Sequence, residues 1–172
     1  VPLAEALVAG GIMNLEVTLR TEHGLKAITL IRDQVKGANV GVGTVCNATE
    51  FDSAVDAGAN FVVSPGQSDA LFDRALLTNI PFLPGAVTAT EVMAAKEAGF
   101  NVLKFFPAST SGGAAAIKAF AGPFSDLQFV PTGGINLDNA GSYLSLSNVR
   151  AVGGSWLTPA DAIENGQWEN ST

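Results

Sequence analysis

Seven short runs rich in β-branched and aromatic residues recur along this chain at nearly even spacing, and that rhythm restricts the fold more than any other property. The runs are Asn14 to Leu19, Val40 to Val45, Phe61 to Ser64, Phe82 to Leu83 with its flanks, Val102 to Phe106, Gln128 to Pro131 and Val149 to Val152, roughly 20 to 27 residues apart. Each leads into a turn of Gly, Pro, Ser or Thr and then an Ala-rich helical stretch. Residues 48–57, 68–77, 89–98 and 113–120 are predicted helices, and Gly58 and Gly99 are predicted stops for two of them. Units of this kind build parallel sheets, because a parallel neighbour can be reached only by a crossover long enough to hold a helix. Eight of them close a (β/α)8 TIM barrel, which usually takes ~200 residues or more. This chain has 172 residues, shows seven strands and opens with a helix over 1–9. The expectation is a single α/β domain over 1–172, a (β/α)8 TIM barrel whose first strand and most of whose last helix are absent from this chain. An open, doubly wound sheet is the alternative.

Composition narrows the function by exclusion. An apolar share of 47% with 15% charged residues describes a well-filled core. No run approaches the ~20 apolar residues of a membrane span, and the start lacks the basic and apolar regions of a signal peptide, so a cytoplasmic protein is expected. The net charge of −7, with no stripe of Lys or Arg, argues against a nucleic-acid partner. The single cysteine, Cys46, cannot form an internal disulfide and is read as a small buried thiol; the single histidine, His23, cannot by itself anchor zinc. No metal and no cofactor are expected. Gly41-Val42-Gly43-Thr44-Val45-Cys46 begins like a dinucleotide fingerprint, but Cys46 stands where its last glycine belongs.

Lys104 lies in the apolar run Asn101-Val102-Leu103-Lys104-Phe105-Phe106-Pro107. Burial disfavours the charged form of a lysine, and a neutral amine is the nucleophile that condenses with a carbonyl carbon to form an imine. Strand alternation extends the argument, because residues two apart share a face. Leu15, Val17 and Leu19 suit a layer against helices, which leaves Glu16, Thr18 and Arg20 pointing together into the barrel. Val40, Val42 and Thr44 share a face, as do Val102, Lys104 and Phe106. If these faces are the inner ones, Glu16, Arg20, Thr44, Lys104 and Phe106 converge at the C-terminal rim, where barrel enzymes carry their chemistry. The plainer reading makes Lys104 a buried ion-pair partner of Glu16.

Two glycine loops end the chain, Pro131-Thr132-Gly133-Gly134 and Gly153-Gly154-Ser155-Trp156. With one strand missing they follow strands 7 and 8, the usual phosphate position in this architecture. Glycine lets backbone N–H groups approach an anion closely, and Ser155 adds a hydroxyl donor.

Leu15-Glu16-Val17-Thr18-Leu19-Arg20-Thr21, Gly41-Val42-Gly43-Thr44-Val45, Val63-Ser64-Pro65-Gly66, Leu103-Lys104-Phe105-Phe106-Pro107-Ala108, Pro131-Thr132-Gly133-Gly134 and Gly153-Gly154-Ser155-Trp156 together resemble the 2-keto-3-deoxy-6-phosphogluconate (KDPG) and 4-hydroxy-2-oxoglutarate (KHG) aldolases. The resemblance runs from Val1 to about Trp168. It implies a class I aldolase, usually trimeric and needing no metal. Lys104 then corresponds to the imine-forming lysine and Glu16 to the general acid/base. Arg20 and Thr44 correspond to the pyruvate-carboxylate site, and Pro65, Phe106 and Thr132 to the wall around it. Gly133, Gly134, Gly153, Gly154 and Ser155 correspond to the phosphate site. The implied reaction cleaves KDPG to pyruvate and glyceraldehyde 3-phosphate, with action on KHG as well. A phosphate-binding barrel isomerase or synthase without imine chemistry, or a noncatalytic barrel fragment, stays open as the alternative.

Overall fold

Strands β1, Asn14–Thr18, and β2, Asn39–Gly43, lie parallel with Leu15 opposite Val40, Glu16 opposite Gly41, Val17 opposite Val42 and Thr18 opposite Gly43. This is a computed structural model, and it describes residues 1–168. The chain divides into two compact units, the first of residues 1–63, 68–82 and the stretch from Leu157, the second of residues 64–67 and 83–156.

In the first unit β3, Val62–Val63, continues the sheet parallel to β2. Helices α1 (Pro2–Ala9), α2 (Gly24–Gln34), α3 (Ala48–Asp56) and α4 (Asp69–Leu76) belong to the same unit, as does the short α8 (Ala160–Glu164). Leu15, Val40 and Val42 are buried, as are Ile28 of α2 and Phe51 of α3. Full burial of such side chains is worth about 1.5–3 kcal/mol each. Helix α3 starts where Asn47 accepts the N–H of Glu50, and α4 starts where Ser68 accepts that of Leu71, each satisfying an orphan donor of the first turn. The helix stop expected at Gly58 coincides with a left-handed φ of 81°.

The second unit is centred on β5, Val102–Phe105, which runs parallel to β6, Gln128–Pro131, with Leu103 opposite Phe129 and Lys104 opposite Val130. On its other side Lys104 N–H donates to Pro84 O (2.8 Å) and its carbonyl accepts Ala86 N–H (2.9 Å), just past β4, Phe82–Leu83. Phe105 and Phe129 are fully buried and meet edge-on at 6.2 Å, and the Phe120 ring of α6, Gly113–Phe120, stacks on Phe129 at 5.6 Å. Helices α5 (Ala89–Glu97) and α7 (Leu137–Leu144) complete the unit.

The seventh strand expected at 149–152 is replaced by isolated bridges, Phe129 to Val149 and Thr132 to Gly153. Phe129 exchanges bonds with Asn148 and Arg150, but the next bond runs from Gly153 N–H to Pro131 O, one residue late. Pro131 has no N–H to give, so the ladder breaks there and one residue bulges.

Helix α5 begins with a reciprocal cap: Thr88 Oγ1 accepts Glu91 N–H, and the Glu91 carboxylate accepts the N–H groups of Val87 (2.9 Å) and Thr88 (2.8 Å). Burial pushes the Glu91 carboxyl up, but the bonds from the Val87 and Thr88 amides and the Thr88 hydroxyl outweigh it and hold the group below its ordinary value of 4.5. A carboxylate depressed in the folded state stabilises the fold above its unfolded pKa, and that contribution disappears as pH falls through the folded value. Melting temperature followed from pH 6 to 3 is therefore expected to fall less steeply below the ordinary 4.5 in Glu91→Gln than in the wild type. Equal slopes would show that the cap carries no such linkage.

Candidate functional site

Lys104 is buried, with 6% of its surface exposed, and its Nζ lies 5.3 Å from the centre of the half-buried Phe106 ring. Pairing on both sides of β5 places the residue within a sheet, since a paired backbone leaves only side-chain torsions free. The segment after β5 stays beside the segment after β6. Ala108 N–H donates to Thr132 O at 2.8 Å, and Ser109 N–H donates to Gly133 O at 3.1 Å. Gly133 turns with φ 98°, and a Cβ there would press on the Phe106 ring and Pro107 Cα at 3.3 Å, so both conformation and clearance call for glycine. Across the next bridge a Cβ on Gly153 would come within 2.6 Å of Thr132 Oγ1.

Pro65 joins the same unit through its neighbours. Ser64 N–H donates to Leu83 O at 3.1 Å, Gly85 N–H donates to Gly66 O at 3.0 Å, and a side chain on Gly85 would collide with Pro65 O. The second unit thus gathers Pro65, Lys104, Phe106, Thr132, Gly133 and Gly153, with Gly134, Gly154 and Ser155 exposed at the loop tips. Gln67 Nε2 ties the Pro65 segment to Glu91 O at 2.8 Å.

Glu16, Arg20 and Thr44 belong to the first unit. Glu16 is exposed, and its carboxylate lies against Gly43, where any Cβ would collide with it. Arg20 is exposed in the turn after β1. The expected face of β2 needs correction. Glu16 shares its side of the sheet with Gly41 and Gly43, whereas Val40 and Val42 register with Leu15 and Val17 on the opposite side. Alternation from Val40 and Val42 would therefore put Thr44 on the side away from Glu16. Thr44 breaks that alternation with a left-handed φ of 64°.

Cys46 is exposed rather than buried, and its Sγ–H donates to Thr44 O at 3.4 Å. Its amide donates to the Glu50 carboxylate at 2.6 Å, a contact that sequence reading missed. The Asn47-Ala48-Thr49-Glu50 spacing, a cap followed three residues on by an acid, was the available signal. Among the described residues no group of three or more His, Cys, Asp or Glu is placed to hold a metal ion. A cavity of about 270 Å³, lined by Asp126, Gln128, Ser147, Asn148 and neighbours, contains none of the residues singled out from the sequence.

Comparison with known proteins agrees with the pattern. The family model described as KDPG and KHG aldolase matches residues 1–172. The KHG/KDPG aldolase of Escherichia coli is 48% identical, over 100% of this chain and 81% of its own length. A crystal structure of KDPG aldolase from Legionella pneumophila, with pyruvate captured at low pH as a covalent carbinolamine intermediate, is 45% identical; the match covers 99% of this chain and 82% of that one, with a TM-score of 0.96. The structure of the aldolase from Zymomonas mobilis with 3-phosphoglycerate is 43% identical, covering 99% and 83%, with a TM-score of 0.91.

Proposed function

This chain belongs to the KDPG and KHG aldolase family, and on that premise we propose that it is a class I aldolase, a lyase that cleaves KDPG to pyruvate and glyceraldehyde 3-phosphate and also acts on KHG. The observation that carries the reading is Lys104, a buried lysine on a strand paired on both sides, with its amine set over an aromatic ring. The carbinolamine in the Legionella relative supports covalent chemistry with pyruvate, and the phosphoglycerate in the Zymomonas relative supports a phosphorylated substrate.

In the proposed cycle the Lys104 lone pair attacks the C2 carbonyl carbon of the 2-oxo acid, whose carboxylate is held by Arg20 through charge-assisted bonds and by the Thr44 hydroxyl. Loss of water from the carbinolamine gives a protonated imine. Glu16, through a water, takes the C4 hydroxyl proton; the C3–C4 bond breaks, its electron pair flows into the imine, and the aldehyde leaves from an enamine. Glu16 returns the proton to C3, and water hydrolyses the imine to free pyruvate and the amine. Pro65, Phe106 and Thr132 wall the keto-acid end. The N–H groups of Gly133, Gly134, Gly153 and Gly154 with the Ser155 hydroxyl receive the phosphate. This chemistry is complete without a metal or cofactor.

The proposal extends to a fold of the TIM-barrel class, for which the TM-score of 0.96 to a family structure is the support, and to a homotrimer working in the cytoplasm. Exposed Leu76, Leu77 and Leu137 offer apolar surface for partner copies, and among the described residues no helix is long and apolar enough to cross a membrane. The test is trapping: borohydride added with pyruvate is expected to leave a reduced adduct on Lys104, found by peptide mass spectrometry. An unmodified Lys104, under conditions that trap a known imine aldolase, would end the aldolase reading.

A further inference from the structure

Thr44, at φ 64°, is the one non-glycine residue with a positive φ among the described residues. A β-branched side chain in the left-handed region crowds its own backbone and is disfavoured by roughly tenfold or more. Such a conformation persists only where its surroundings over-determine it. Here they do. Before the kink, Gly43 O accepts Leu19 N–H at 2.9 Å; after it, Val45 N–H donates to Val63 O at 3.2 Å, and the Val45 side chain is fully buried. Just past the second anchor, Cys46 Sγ–H donates back to Thr44 O at 3.4 Å. The Glu50 carboxylate reaches back from the first turn of α3 to take Cys46 N–H at 2.6 Å, while Glu50's own N–H is held by Asn47 at 2.9 Å.

The kink has a consequence for the site. Left to alternation, Thr44 would join the buried layer of Val40 and Val42. The left-handed turn breaks that alternation one residue after the glycine against which the Glu16 carboxylate lies, and Thr44 is half-buried where Val40 and Val42 are fully buried. We infer that Glu50 is a positioning residue for the reaction: through Cys46 it clamps the 44–47 turn, and so fixes the left-handed Thr44 that the proposed function assigns to the substrate carboxylate. The inference rests on that assignment. Glu50 acts through Cys46 and the backbone of the turn.

A residue that merely caps α3 would affect stability alone, so the test reads substrate recognition. KM and kcat for aldol cleavage are measured in the wild type, Glu50→Ala and Glu50→Gln, together with borohydride trapping rates for pyruvate and for pyruvamide, which lacks the carboxylate. Glu50→Ala is expected to raise KM and to cut the pyruvate-to-pyruvamide trapping ratio by about tenfold each, with kcat within about twofold, as a misplaced binding group does. Glu50→Gln keeps a carbonyl oxygen for Cys46 N–H and is expected to restore most of both. Lower stability of Glu50→Ala with KM and ratio unchanged would overturn the inference.

If Glu50→Ala fails to fold, a second pair decides. Thr44→Gly and Thr44→Ala both lose the hydroxyl, and only alanine keeps the strain, so the glycine variant is expected to have a folding equilibrium constant roughly five- to twentyfold higher. The reverse order would remove the clamped turn on which the inference stands. A wild-type protein that pyruvate fails to label takes the inference down with the proposed function. A labelled wild type whose discrimination survives Glu50→Ala loses the inference alone.

Discussion

Lys104→Met loses roughly 10,000-fold or more of kcat and gains no adduct from borohydride and pyruvate: this is the largest effect expected from any single substitution in the chain. Methionine keeps the length of the unbranched stem at a position only 6% exposed, so the change in stability is expected to stay within about 1.5 kcal/mol. Urea unfolding of the variant therefore separates the two possible roles of the lysine. If Lys104 were a buried structural ion, removal of its charge would strand its partner and the fold would lose about 3–5 kcal/mol. If it is the nucleophile, the fold persists and the chemistry goes. A variant that still cleaves KDPG at even a hundredth of the wild-type rate would defeat the imine mechanism.

The second largest effect belongs to Glu16→Gln. An acid/base group contributes about 10²- to 10⁴-fold, and glutamine can accept a hydrogen bond but not carry a proton through the cycle. The expected signature is a split: borohydride trapping of pyruvate stays near the wild-type rate while aldol cleavage falls by about two to four orders of magnitude. Glutamine has the shape of glutamate, and the room above Gly43 that receives the carboxylate receives the amide equally, so stability is expected to change little. Equal loss of trapping and cleavage would assign Glu16 to imine formation or to folding instead. Exchange of the methyl protons of pyruvate in deuterated water provides an independent readout, because it breaks and re-forms a C–H bond without any carbon–carbon cleavage.

The sequence made some of these features plain and concealed others for physical reasons. Gln128–Pro131 matches its expected limits, and the strand at Phe82–Leu83 lacks the flanks expected for it because Pro81 and Pro84 bound it. The stops at Gly58 and Gly99 were visible because only glycine is at ease at φ 81° and 93°. Lys104 stood out because an ammonium group in an apolar strand conflicts with its local pattern. Strand alternation misled at β2: it identified Val40 and Val42 as a shared face, but both faces of that strand are buried, so polarity gave no sign of which one Glu16 occupies. Register with β1 settles it, and register is a long-range property. The left-handed Thr44 lies beyond any propensity argument, since threonine is among the residues least suited to it. The interrupted pairing after Arg150 depends on the missing amide of Pro131, a residue that reads as an ordinary strand end until its partner is known.

The double anchorage of Lys104 bears on the covalent attachment proposed for it. Its amide and carbonyl are claimed by Pro84 and Ala86 on one flank, and Lys104 registers with Val130 on the other. A molecule bonded to Nζ is thus tethered to the middle of a braced lattice, with only the torsions of an aliphatic stem between cargo and frame. On the proposed imine chemistry, the freedom of the adduct is therefore that of the stem alone, because the backbone that carries it is paired on both flanks.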